Sequence, residues 1–196
     1  ACLLIPNGLN PLGCVVSDHN KMAIAKLLAQ RNIPLIEDDL YGDICQGGQA
    51  SSSRPRPIHA FDNSGNTMLC SSFSKTVSPG LRLGFVAGGK RAADILFQKT
   101  VNSGNTNAIT QNVLAELIES RGFDLHLRSL RRKLSEQIAR TRDAVERHFP
   151  AETRITDPQG GFVLWIELPG GINTMETHSL AVKEKTAFVP GALFSP

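Results

Sequence analysis

Lys75 closes the run Met68-Leu-Cys-Ser-Ser-Phe-Ser-Lys75, with serines at 71, 72 and 74 just before it and Arg82 seven residues after it. A lysine so placed is an amine nucleophile for a carbonyl, provided that burial or nearby cations keep part of it neutral. The hydroxyls of Ser72 and Ser74 and the planar guanidinium of Arg82 are donors suited to a bound phosphate. Asp38 and Tyr41 add a carboxylate and a phenol three residues apart, and Asn10 adds an amide. A Ser-x-x-Lys match is weakly specific by itself, and its plain alternative is a solvated lysine just past a strand.

Bringing these groups to one place requires several segments to end together. Cys2 to Ile5 is an apolar run closed by Pro6-Asn-Gly8 and Asn10-Pro-Leu-Gly13, which reads as a buried strand and a turn-rich loop. A helix is expected from a Ser17 or Asp18 cap, with Met22, Ala25, Leu28 and Ala29 on one face. Ile33 to Ile36 reads as a second buried strand, ending in Glu37-Asp38-Asp39. Strand, helix and strand make a βαβ unit and therefore a parallel sheet. Met68 to Ser71 and Leu83 to Ala87 supply two more strands, and Gln46 to Pro57, rich in Gly, Ser and Pro, a surface loop. Ligands gather at the carboxyl ends of the parallel strands in such sheets, which is where Asn10, Asp38 and Lys75 fall.

From Ala108 the pattern turns helical, with Ile109, Val113, Leu114, Leu117 and Ile118 in register and Gly122 as the stop. A longer helix follows, with Leu127, Leu130, Leu134, Ile138, Val145 and Phe149 inward and Arg128, Arg131, Arg132, Lys133, Arg140 and Arg142 mostly outward. Glu136, Asp143 and Glu146 interleave with that basic face, which reads as solvated rather than nucleic-acid-binding. Short strands are expected at 154–156, 161–167 and 187–189. The expected division is 1–123, part of a large α/β domain, and 124–196, part of a small C-terminal α+β domain that begins with the long helix.

A net charge of +3 with 41% hydrophobic and 20% charged residues is the balance of an ordinary globular protein and argues against a surface that coats nucleic acid or membrane. Cys2, Cys14, Cys45 and Cys70 form no Cys-x-x-Cys and have no histidine pair at metal-ligand spacing, so they read as free thiols of a reducing cytoplasm, with no metal site. No signal peptide or membrane span is expected. The opening at Ala1, already apolar and without methionine, reads as a strand entered mid-protein.

A pyridoxal phosphate site needs a lysine for the aldehyde, an acid for the ring nitrogen, donors to the ring hydroxyl, and cations or hydroxyls for the phosphate. In chain order, Asn10-Pro-Leu-Gly13, Asp38-Asp-Leu-Tyr41, Ser72-Phe-Ser-Lys75 and Arg82 resemble the motifs of the fold-type-I aminotransferases of class I and II. The resemblance implies that Lys75 forms an aldimine with the cofactor, Asp38 contacts the pyridine nitrogen, and Asn10 and Tyr41 contact the ring hydroxyl. It also implies that Ser72 and Arg82 hold the phosphate, with Ser74 as a weaker candidate. Longer strings, among them Ile36-Glu-Asp-Asp-Leu-Tyr-Gly-Asp43, His126-Leu-Arg-Ser-Leu-Arg131 and Gly160-Gly-Phe-Val-Leu-Trp165, are similar to the aminotransferase-like domain of MocR-type regulators in the GntR superfamily. That similarity runs along essentially the whole chain. It implies a homodimer, a small amine or amino-acid ligand that exchanges with Lys75, and DNA binding through an N-terminal winged helix-turn-helix domain.

No winged helix is recognisable in the chain, nor is a C-terminal arginine that would grip a substrate carboxylate. The expectation is therefore a partial fold-type-I structure: a mostly parallel sheet with flanking helices, exposed edge strands and part of a cofactor pocket. Ligand sensing is placed ahead of a free-standing aminotransferase, in which Lys75 would also shuttle a proton. A Ser-x-x-Lys acyltransferase is the remote reading, since it also wants Ser-Asp-Asn and Lys-Thr-Gly where this chain has Ser17-Asp-His-Asn20 and Lys75-Thr-Val77. Trp165 is expected in packing, and none of the five histidines is given a catalytic role.

Overall fold

Short apolar runs separated by helix-forming stretches build a four-stranded sheet in the order β1-β2-β3-β4, from β1 (Cys2–Leu4), β2 (Leu35–Asp38), β3 (Thr67–Ser72) and β4 (Gly84–Ala87). The computed structural model describes residues 1–45 and 54–194, so the expected loop from Gln46 lies outside the described residues as far as Ser53. β1, β2 and β3 run parallel, with Cys2 opposite Leu35 and Asp38 opposite Cys70. β4 returns antiparallel to β3 and sets Gly84 opposite Ser72. The sheet is mostly parallel, as the βαβ pattern requires.

Helix α1 (Asp18–Gln30) makes the first crossover and starts where Ser17 Oγ accepts the Asn20 N–H at 3.3 Å. Its Ala25 packs with Leu35 and Ile58 in a small core ringed by Cys2, Leu4, Ile24, Leu28 and Phe61. Met22 does not join that face: it is exposed, and its neighbour Lys21 is buried instead. The reason is polar, because the Lys21 ammonium donates at 2.7 Å both to Asn7 Oδ1 and to the Arg56 carbonyl. The second strand begins later than its apolar run. Ile33 spends its N–H on the Leu28 carbonyl to close α1, and Pro34 has none to offer a sheet. This frame puts Leu35, Glu37 and Asp39 on the buried side of the chain and leaves Asp38 half-buried on the other.

Beyond β4, α2 (Ala92–Ser103) carries Leu96, Phe97 and Val101 into solvent. Helices α3 (Ala108–Glu119) and α4 (Arg121–His148) are separated at Ser120, not at Gly122, which lies in the first turn of α4. Ser120 is extended (φ −77°, ψ 149°), and its backbone N–H closes the end of α3 on the Glu116 and Leu117 carbonyls. Along α4, Leu127 and Val145 are buried, Leu130, Leu134 and Ile138 half-buried, and Phe149 exposed. β5 (Arg154–Ile155) and β6 (Ile166–Glu167) form an antiparallel pair, followed by α5 (Thr174–Lys183) with Asn173 as its cap. The strand expected at 187–189 is absent, since no described strand lies beside it and Phe188 packs edge-on against His178 at 5.5 Å. Trp165 packs edge-on against Phe194 at 5.7 Å. The sheet's outer strands expose apolar side chains, with Leu3 66% and Val86 47% accessible. No helix among the described residues is long and apolar enough to cross a membrane.

The four cysteines are free, and their environments differ sharply. Burial, aided by the Asp39 charge, pushes the Cys45 thiol up to about 12, whereas Cys14 is exposed. Thiolate is the reactive form. Maleimide labelling at pH 8 is therefore expected to modify Cys14 promptly and Cys45 only after unfolding, as peptide mass spectrometry will show.

Candidate functional site

Three loops at the carboxyl ends of β1, β2 and β3 carry the candidate residues. The loop after β1 is folded on itself by hydrogen bonds from the Gly8 and Leu9 N–H groups to the Cys14 carbonyl, at 3.0 and 3.1 Å, leaving Asn10 at an exposed tip. Gly8, at φ 69°, lets this loop settle on the next one: a Cβ there would stand 2.8 Å from Tyr41 Cβ. Asp38 ends β2 and accepts the Leu40 N–H at 3.2 Å, an Asx turn that swings the chain to Tyr41. Tyr41 is 8% exposed. Burial raises its pKa, the Asp38 carboxylate raises it further, and a side-chain hydrogen bond with Asn10 opposes both. Asn10, Asp38 and Tyr41 thus share one electrostatic neighbourhood.

The loop after β3 is a single helical turn. Phe73 N–H donates to the Leu83 carbonyl at 3.0 Å, and Val77 N–H donates back to the Phe73 carbonyl at 2.8 Å. Ser72 and Ser74 hydroxyls lie 2.9 Å apart, with Ser72 Oγ also 3.2 Å from the Leu83 carbonyl and accepting the Ser74 N–H at 3.1 Å. Lys75 stands exposed on this turn, its Nζ 5.3 Å from the centre of the Phe162 ring. Ser72 is engaged by its own loop and Lys75 lies over an aromatic ring, so the serine-nucleophile reading gains no support. Arg82 is left-handed, at φ 49° and ψ 41°, and exposed. For a side chain with a Cβ that conformation costs on the order of 1 kcal/mol.

Phe162, to which the sequence alone assigns no role, joins the two halves. It meets Tyr41 edge-on with ring centres 5.9 Å apart, while its face lies under Lys75 Nζ. Gly160 and Gly161 permit this. A Cβ on Gly160 would collide with Cys45, and Gly161, at φ 77°, lies close against the Tyr41 ring. The only hint in the sequence is a glycine pair ahead of an aromatic residue.

Beneath the site runs a buried polar ladder that the sequence also conceals. Asn7 Nδ2 donates to Asp39 Oδ1 at 2.8 Å, and Arg54 bridges Asp39 Oδ2 and Asp43 Oδ1. Glu37 accepts the Ile58 and His59 N–H groups at 2.6 and 2.8 Å. Burial raises the pKa of both Glu37 and Asp39, with the peptide donors opposing it at Glu37 and Arg54 and Asn7 at Asp39. From α4, Arg131 Nε donates to the Asp43 carbonyl at 2.7 Å, so this arginine turns inward rather than out. The ladder ties together the loops that deliver Asn10, Asp38 and Tyr41.

Residues 1–194 match the family model for aminotransferase class I and II. Over 195 residues the chain is 37% identical to an uncharacterized HTH-type transcriptional regulator of Escherichia coli, YdcR, covering 100% of this chain and 41% of that protein. It is 30% identical over 194 residues to the 2-aminoadipate transaminase of Thermus thermophilus, covering 97% of this chain and 48% of that one. The crystal structure of LysN, the α-aminoadipate aminotransferase from Thermus thermophilus complexed with N-(5'-phosphopyridoxyl)-L-leucine, superposes with a TM-score of 0.85 at 30% identity, over 96% of this chain and 48% of that one. The chain thus spans less than half the length of these relatives.

Proposed function

The chain belongs to the aminotransferase class I and II family, and on that premise we propose that it is the pyridoxal-phosphate-holding, effector-sensing part of a transcriptional regulator, with Lys75 as the anchoring amine. When bound, that cofactor supplies an electron sink for bonds at an amine-bearing carbon. Asp38 is the carboxylate that holds a proton on the ring nitrogen. The Asn10 amide and the Tyr41 hydroxyl address the ring oxygen, and Ser72, Ser74 and Arg82 address the phosphate. The observation that most supports this reading is Phe162, which packs against both Tyr41 and Lys75 and so brings the acid-bearing loop and the lysine-bearing loop to one wall. The residues fit the group.

Sensing asks Lys75 to hold and to let go. With Lys75 released by a small amine or amino acid, the turn that carries it is free to settle differently and to bias the rest of a homodimer, including winged helix-turn-helix domains bound to DNA. The 37% identity to an HTH-type regulator favours this role. A second reading, a working aminotransferase, is favoured by the likeness to the Thermus 2-aminoadipate transaminase, and would have Lys75 move a proton as general acid and base. Adding amino acids to the cofactor-loaded full-length protein separates the two. A sensor is expected to show one spectral change and to release at most about one equivalent of oxo acid per subunit. Oxo acid accumulating through many equivalents would overturn the regulatory reading in favour of catalysis.

A further inference from the structure

The peptide that follows Lys75 is short of a hydrogen bond that its own loop cannot supply. The Thr76 carbonyl ends the helical turn, and its local donors would be the N–H groups three and four residues on. Residue 79 is proline, which has no N–H, and the Gly80 N–H is taken by Ser78 Oγ at 3.2 Å. Thr76 is itself buried, at 3% exposed, so its carbonyl is poorly placed to turn to solvent. The missing donor arrives from 50 residues away: His126 Nε2, near the start of α4, lies 2.6 Å from the Thr76 oxygen. A carbonyl only accepts, so the imidazole must carry its proton on Nε2. The His126 residue is otherwise exposed.

We propose that His126 is a positioning residue that holds the lysine-bearing turn against α4, fixing the direction in which Lys75 leaves the chain. Five residues further along α4, Arg131 grips the Asp43 carbonyl just beyond Tyr41. One helix therefore holds the loops on both sides of the site. The inference rests on Lys75 being the cofactor's amine, although the tie itself does not.

The test uses the full-length protein with H126Q, whose amide nitrogen reaches the same carbonyl, and H126L, which has no donor. Without cofactor, the Val77 and Ser78 amides, both bonded to the Phe73 carbonyl, are expected to exchange hydrogen about tenfold faster in H126L than in wild type, with H126Q close to wild type. With pyridoxal phosphate, H126L is expected to need about tenfold more cofactor for half-maximal visible absorbance, again rescued in H126Q. Wild-type exchange in H126L, or an H126Q that behaves like H126L, overturns the proposal. Should H126L not fold, nitrogen-15 spectra of wild-type imidazoles decide instead, since a neutral ring protonated only on Nδ1 is incompatible with the bond. If wild-type protein gives no visible band at all, the cofactor reading falls, while the exchange measurement still decides the tie.

Discussion

Lys75→Ala is expected to abolish the visible band of the lysine-bound cofactor in the full-length protein loaded with pyridoxal phosphate, leaving only the absorption of the free aldehyde, and to leave no cofactor mass on the 72–82 peptide after borohydride reduction. The expectation follows from which amines are available. Lys75 Nζ is exposed beside Phe162 and within the same wall as Tyr41. Lys21, the lysine tied to the Asn10 loop through Asn7, is wholly buried and already donates to two acceptors below the site. Burial also lowers its pKa, with Asp18, Asp39 and Glu37 opposing, yet buried in this way it has no route to an aldehyde. Losing the covalent anchor while the phosphate and ring contacts remain should weaken cofactor binding by at least about tenfold rather than eliminate it. Lys75→Arg separates charge from chemistry, since guanidinium keeps the cation and cannot act as the amine. It should lack the lysine-bound band as the alanine variant does, and a lysine-bound band that survives in either one moves the anchor to another lysine.

The legible parts of this chain share a physical cause. Asn10, Asp38 and Lys75 fall at strand ends, as expected, because short apolar runs broken by turn residues announce a parallel sheet, and such a sheet fixes where its loops emerge. Ser17 is visible as a cap because capping is local chemistry. Concealed features depend on partners far along the chain. Helical periodicity assigns the inner face of α1 to Met22, whereas Lys21 takes a buried place because Asn7 and the Arg56 carbonyl await its ammonium. Similarly, Arg131 and His126 look like solvated residues of a polar helix until the carbonyls of Asp43 and Thr76 come within reach. Phe162 follows the same rule, because its role comes from glycines that allow a close approach to a tyrosine in another loop. The acidic run 37–39 is legible in composition but not in division of labour. Strand alternation buries Glu37 and Asp39 and leaves Asp38 half-buried on the opposite side.

That division makes Lys21→Met a severe change for a residue that never touches the site. Methionine matches the aliphatic stem well enough to leave little cavity. It donates nothing, however, so Asn7 Oδ1 and the Arg56 carbonyl lose their donor in the interior. At roughly 1–3 kcal/mol for each buried group left unsatisfied, partly offset by no longer burying an ammonium, the expected destabilisation is about 3 kcal/mol. The deficit should also depend on pH. Burial raises the folded-state pKa of Glu37 and Asp39, so their contribution is complete below the ordinary carboxylate range and declines as pH rises through the raised values. The Lys21 cation interacts favourably with both carboxylates and limits that decline. Without it the carboxylates are harder to ionise in the folded state, and the variant should lose more at pH 8 than at pH 5. Urea unfolding at the two pH values measures this directly. A deficit below about 1 kcal/mol at pH 8, within the spread of ordinary surface changes, would mean that the ladder beneath Asp38 and Tyr41 does not depend on Lys21.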